Sequence, residues 1–309
     1  LQPIKAAEVI MDDRTKGWIN GIAGMLIFSG SSPATRAAVM SLDPFFVTSA
    51  RATLAACLGA AMLLAVRAPL PDRGDLKRLA ITAGGIVAGF PLLSGLALQH
   101  ISAGRSVVFL GLLPMATALF GVARGGERPP APFWLFAVLG AGVIGAFALS
   151  RGGASSARGD LLMLTAIIVC GLGYAEGAVL ARRLGGVQVI CWALVLSLPL
   201  ALPAALWCFP ADLAPVTPLS WFGLLYVTLF SMFIGFVFWY RGLALGGIAA
   251  ISQLQLLMPL FGLGWSALLL HESVSWTMLE ATAGIILCVA GARHFSQPPA
   301  RKLDKLTSS

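Results

Sequence analysis

Apolar stretches of roughly 20 residues follow one another along this chain, with short polar breaks between them. Each is long enough to cross about 30 Å of hydrocarbon as a helix. A segment in that environment must satisfy its own backbone N–H and C=O groups, which favours helices over open strands. A membrane β-barrel would need alternating segments of about ten residues, and the sequence has none. The pattern predicts helices at Trp18–Ala38, Pro44–Val66, Leu79–Leu98, Ala103–Ala123 and Phe133–Ser150. A second five follow at Gly159–Ala181, Val187–Cys208, Leu219–Gly242, Ile248–Leu270 and Trp276–His294. The connections are short and turn-like, as in PLPDRGD, GGVQ and FPADLAPVTP, so consecutive helices are expected to be antiparallel neighbours. The expected fold class is an all-α membrane protein of ten transmembrane helices.

Composition agrees with that pattern. The chain is 58% hydrophobic and 11% charged, and its mean hydropathy of +0.88 is far from that of a soluble domain. No cleavable signal peptide is expected, because the first apolar run is too long and starts too late. The net charge of +8 alone would suit nucleic acid or acidic ligands. Its distribution suits topology instead. With helices alternating in direction, sixteen Lys and Arg fall on the side of the termini. Only Arg36, Arg105, Arg151 and Arg158 fall on the other, and Arg51 lies within the second span. A bias of this kind places both termini in the cytoplasm. The five cysteines lie in or beside apolar runs without a CxxC pair, so they read as small membrane-buried residues.

The chain also repeats itself. Leu112–Glu127 reads LLPMATALFGVARGGE and Leu257–Glu272 reads LMPLFGLGWSALLLHE, with proline third and glutamate sixteenth in both. Each is preceded by GLAL, at Gly95–Leu98 and Gly242–Leu245. The expected organisation is two five-helix repeats, 17–150 and 159–294, with cytoplasmic tails at 1–16 and 295–309. An odd number of spans per repeat inserts the second copy upside down. Inverted repeats with interrupted helices in matching places are a mark of secondary transporters, whose substrate site lies near the midplane. Pro114 and Pro259 meet that description, either as site-lining hinges or as kinks that only shape packing.

Several stretches resemble the drug/metabolite transporter superfamily, and within it the ten-span EamA-type proteins. They are Gly126–Ala146 (GERPPAPFWLFAVLGAGVIGA), His271–Ala292 (HESVSWTMLEATAGIILCVAGA) and the polar SGSSPATRA of Ser29–Ala37. The likeness spans about 17–294 and looks most like the branch with YddG-type aromatic amino-acid exporters. That resemblance implies export of amino acids or related metabolites across a bacterial inner membrane.

Polar groups inside a membrane are expensive, so each is a candidate for function. Ser29, Ser32 and Arg36 share a stripe of the first helix, and Pro33 frees the Ser29 carbonyl from its usual donor. These groups suit a substrate ammonium or hydroxyl; the alternative is serines bonded to their own helix. In the sixth helix Tyr174 and Glu176 point nearly opposite ways. Tyr174 suits an apolar substrate side chain. Glu176 suits a substrate amine or a coupling proton, or else a structural ion pair, with Arg51 as one partner. Of Gln253 and Gln255 the second shares the face of Pro259 and is the preferred cavity residue. Phe236, Trp239 and Tyr240, beside Phe90 and Pro91, suit an apolar wall, although aromatic residues such as these, Trp192 and Trp265 more often face lipid or core. Glu280 suits an interface or helix contact. Glu127 and Glu272, at helix ends, read as structural anchors that cap a helix or fix a gate.

Enzyme motifs such as HExxH and GxSxG are absent, and His100, His271 and His294 stand near helix ends. The expectation is a non-enzymatic secondary transporter without cofactor or metal, working by alternating access around a central cavity. Its expected partners are a small-molecule substrate and the lipid bilayer, not nucleic acid, and its expected assembly is a monomer or weak dimer. The alternative substrate is a hydrophobic cation, as in multidrug exporters, with a channel or membrane-embedded enzyme further behind. The sparse fixed charge in the spans argues against heavily charged substrates.

Overall fold

In the computed structural model, residues 13–125, 131–149, 156–246, 254 and 257–296 are described, with no strand among them. The first predicted helix is two, α1 (Asp13–Ser29) and α2 (Ser31–Val39), broken at Gly30. α3 (Pro44–Ala65) starts where the Asp43 carboxylate accepts from Phe45 and Phe46 N–H, with Pro44 in the first turn, where no donor is missed. The third predicted helix runs as α4 (Arg73–Thr82), a π segment π1 (Ala83–Gly89) and α5 (Phe90–Leu98). The fourth is α6 (Ala103–Leu110) and α7 (Leu113–Gly125), separated at Gly111 and Leu112 just before Pro114.

The second part of the chain follows as α8 (Ala131–Leu149), α9 (Ala157–Leu184) and α10 (Gly186–Trp207). Then come α11 (Pro218–Tyr226), π2 (Val227–Ile234) and α12 (Gly235–Gly246), which together form one rod. α13 (Met258–Leu270) has Pro259 in its first turn, and α14 (Trp276–Ser296) completes the described chain. Among the described residues, six stretches are long and apolar enough to cross a membrane: Pro44–Ala65, Arg73–Leu98, Ala103–Arg124, Ala157–Ala181, Gly186–Trp207 and Pro218–Trp239. Trp134–Phe147, Met258–Leu270 and Trp276–Gly291 are shorter apolar helices.

Large apolar side chains cover the outside. Leu149, Leu200 and Trp207 are 87%, 81% and 91% exposed, an arrangement suited to lipid rather than water. Inside, small residues bring backbones together. α1 runs along α12, α3 along α10, and α5 and α7 along α9. A Cβ on Gly242 would lie 2.7 Å from Gly21 N, and one on Gly223 would lie 2.4 Å from the Ala34 carbonyl. Close approach of this kind replaces the hydrophobic driving force that lipid removes.

The two π segments occupy the middle of the third and eighth predicted helices. Each ends in an i→i−5 bond, from Phe90 N–H to Gly85 O and from Gly235 N–H to Phe230 O. The wide turn crowds the position beside it. A Cβ on Gly89 would lie 2.7 Å from Gly84 O, and one on Gly235 would lie 2.8 Å from Phe230 O. Glycine is therefore what allows each widened turn. Gly89→Ala and Gly235→Ala are each expected to lower the melting temperature in detergent, by about 1–3 kcal/mol of stability. Gly74→Ala, where a Cβ meets nothing within 4 Å, should leave it unchanged or slightly raised, as differential scanning fluorimetry will show.

Candidate functional site

Interrupted helices converge around the break in the first one. The Tyr226 hydroxyl, at the end of α11, donates to the Ile27 carbonyl at 2.9 Å. This approach depends on Gly30, because a Cβ there would lie 2.5 Å from the same hydroxyl. On the next turn Ser31 Oγ lies 2.7 Å from Ser231 Oγ, inside π2. From α13, Trp265 Nε1 donates to Ser29 Oγ at 3.0 Å, while that hydroxyl donates to the Leu26 carbonyl. Ser32 faces Ser106 of α6 at 3.2 Å. A broken helix, a π segment and two further helices thus share one hydroxyl-lined seam. Ser29 and Ser32 are both buried.

Charged networks stand on either side of this seam. At the end where α5, α6, α9 and α13 begin or finish, Arg105 is fully buried and forks onto Asp160. Nε donates to Oδ1 at 2.8 Å and Nη2 to Oδ2 at 2.7 Å. Its guanidinium carbon also stands 4.7 Å from the Phe147 ring centre and 5.8 Å from that of Phe109. Two parallel charge-assisted bonds with cation–π contacts are among the strongest ways to hold a buried arginine. Beside it, Glu272 accepts from the N–H groups of Ala103 and Gly104 at 3.0 and 2.9 Å. These are orphan donors of the first turn of α6, where a negative charge also meets the helix dipole. Left-handed His271 (φ 52) turns the chain so that Glu272 can reach them. Arg36 donates to the Leu98 carbonyl at the same end.

At the opposite end Glu176 is 1% exposed and shared by two arginines. Arg78 Nη1 of α4 donates to Oε2 at 3.0 Å, and Arg124 Nε of α7 donates to Oε1 at 2.6 Å. Further out Arg183 bridges Asp72 and Asp75, and those hydrogen bonds raise its pKa above the usual value, Asp72 contributing most.

The candidates from the sequence therefore separate. Ser29, Ser32 and Trp265 come together at the seam. Phe236 and Trp239 pack on Phe28 of α1, with ring centres 5.0 and 6.3 Å apart, rather than on Phe90. Tyr174 packs against the apolar cluster that contains Phe236 and Met232. Phe90 packs against a different cluster, with Phe109 and Met163. Glu176 belongs to an ion network in the second half of α9, and its partners are Arg78 and Arg124, not Arg51. Glu272 does cap a helix, but α6 rather than the one that follows it. Glu280 is exposed, and Pro259 is buried in the first turn of α13. Pro114 takes its place in the first turn of α7. Glu127, Gln253 and Gln255 lie outside the described residues, as do most of the two tails.

Sequence reasoning missed Arg105 and Asp160 as a pair, along with Tyr226 and Ser231. Arg105 was legible as one of few cations on the sparse side, and Ser102 three residues earlier marks a helix start that its hydroxyl caps. Nothing local marks Asp160 as its partner, 55 positions away.

Known proteins share this architecture. The sequence pattern of the EamA-like transporter family matches residues 15–151 and 157–295. The uncharacterized transporter YdeK of Bacillus subtilis (strain 168) is 54% identical over 287 residues, which is 93% of this chain and all of the relative. The uncharacterized transporter sll0355 of Synechocystis sp. (strain ATCC 27184 / PCC 6803 / Kazusa) is 25% identical over 82% of each chain. A solved crystal structure, 18% identical, covers 90% of this chain and 96% of its own with a TM-score of 0.59, a likeness of fold. With both halves of the chain matched, this protein belongs to the EamA-like transporter family of membrane transporters.

Proposed function

We propose that this transporter is a secondary carrier that exports amino acids, aromatic or other neutral ones, across the bacterial inner membrane. The observation that carries this reading is the hydroxyl-lined seam at Gly30, set between two ion networks at opposite ends. A carrier needs a site near its middle and a closure on each side that can open in turn. Ser29, Ser31, Ser32 and Ser231 supply hydroxyls to a small polar substrate. Phe28, Phe236 and Trp239 supply an apolar wall nearby.

The duplicated sequence gives this reading its geometry. With an inverted second repeat, π1 and π2 occupy the same place in the two halves, as do the helix starts at Leu113 and Met258 beside Pro114 and Pro259. Matched discontinuities let one bundle rock against the other. The bias of sixteen Lys and Arg, counted over ten alternating helices, supports placing both termini and the Glu176 network on the cytoplasmic side. The Arg105–Asp160 pair then closes the outer side. Glu176, with both oxygens engaged by arginines, acts in this scheme as the inner latch, not as the coupling acid.

Counterflow of labelled phenylalanine, methionine and threonine in proteoliposomes tests the function directly. Saturable exchange is expected for at least one, and none for any would sink the amino-acid reading. Glu176→Gln should slow exchange by the same factor at acid and alkaline pH. If the rate survives while its pH dependence disappears, Glu176 is the proton carrier and the latch is wrong. Asp160→Ala leaves Arg105 as an uncompensated buried charge and should cost about 3–5 kcal/mol, read as a marked fall in melting temperature.

A further inference from the structure

Arg51 stands apart from every other buried charge. Among the described residues five charged side chains are buried: Arg51, Asp75, Arg105, Asp160 and Glu176. The last four are all paired, Asp75 with Arg183, Arg105 with Asp160, and Glu176 with Arg78 and Arg124. Arg51 is 6% exposed, its Nε is sealed from solvent without an acceptor, and it has no ion pair among the described residues. It is the eighth residue of α3, roughly 10 Å along the helix from its start. The nearest acidic residue in sequence, Asp43, is already committed to capping that helix.

An unmatched guanidinium at such depth is costly, and among the described residues the usual remedy, a carboxylate on a neighbouring helix, is missing. Arginine is also a poor choice for packing alone, since its fixed fork is shaped for two parallel bonds to a carboxylate. The adjoining turn of the helix is apolar. Ala55, one turn further on the same face, packs in a cluster with Ile86, Val87, Met232 and Phe236, and Phe28 and Tyr174 rest against that cluster. A low dielectric of this kind strengthens a bond to an entering anion.

We propose that Arg51 is the substrate's carboxylate anchor, so that the protein carries carboxylates or zwitterions with an apolar side chain and rejects hydrophobic cations. The assignment rests on the carrier reading above, and it selects between the two substrate classes the sequence leaves open. The carboxylate meets the guanidinium fork, and the side chain lies toward Phe28, Phe236 and Tyr174. In the empty protein Arg51 is then a stored cost that the ligand relieves, an arrangement in which stability is given up for binding.

Purified full-length wild type, Arg51→Lys and Arg51→Met in detergent test this by melting temperature, alone and with L-phenylalanine, L-phenylalaninamide, benzoate or tetraphenylphosphonium. Without ligand, Arg51→Met should melt above wild type; if it melts lower or fails to fold, Arg51 is a structural residue and the proposal is overturned. Phenylalanine should stabilise wild type at concentrations about tenfold or more below those of the amide, the worth of one charge-assisted bond. Arg51→Lys should weaken that response and Arg51→Met abolish it. An amide or tetraphenylphosphonium that stabilises wild type as well as phenylalanine does overturns the proposal, and so does a wild type that no carboxylate stabilises. If benzoate stabilises wild type but not Arg51→Met while phenylalanine does nothing, the carboxylate anchor stands and the amino-acid reading falls.

Discussion

A charge carried into a membrane interior must be matched, and the described fold is arranged around that requirement. Arg105 is the clearest case. It is wholly buried, held by both oxygens of Asp160 and flanked by Phe109 and Phe147. The pair joins the start of α6 to the start of α9, and Glu272 adds the end of α13 to the same knot through the α6 amides. At the other end Glu176 ties α9 to α4 and α7. Between the two knots the helices meet through glycine, serine and aromatic contacts, which are individually weaker and easier to rearrange.

That division of strength suits a carrier. The helices are broken at Gly30 and at the turn before Pro114 and widened at π1 and π2, and hydroxyl contacts gather at Gly30 and π2. Each break leaves backbone groups that need partners from elsewhere, and the Tyr226 hydroxyl on the Ile27 carbonyl is one such partner. Irregular backbone is tolerated at membrane depth only where protein or a cavity surrounds it. The π turns add a local constraint, because Gly89 and Gly235 are the residues that leave room for the widened ladder.

The same accounting changes the meaning of individual residues. Glu176 invites a substrate-binding or proton-carrying role when seen alone in an apolar run. With Arg78 and Arg124 on its two oxygens it ties three helices together. Arg51 moves the other way, from a suggested partner of Glu176 to the buried cation without a protein counter-charge among the described residues. Trp265, first grouped with lipid-facing aromatics, is a hydrogen-bond donor to Ser29.

Much of the fold was legible in one dimension. Length and polarity of the apolar runs set the helices, because a backbone in lipid has to bond within itself. The expected helix starts at Pro44, Ala103 and Leu219 fall at or within one residue of those in the structure, each beside a capping Asp43, Ser102 or Thr217. What lay beyond reach was partnership. Glu176 meets Arg78 and Arg124 across 98 and 52 positions, and Ser31 meets Ser231 across 200. Hydropathy and helical period are local properties, whereas the choice of partner follows from which helix faces pack together. The sequence by itself determined that this chain is all-helical, with apolar helices of which several are long enough to cross a membrane. Only the tertiary structure decided which charges are matched and where the helices widen, because both depend on neighbours that the local pattern does not name.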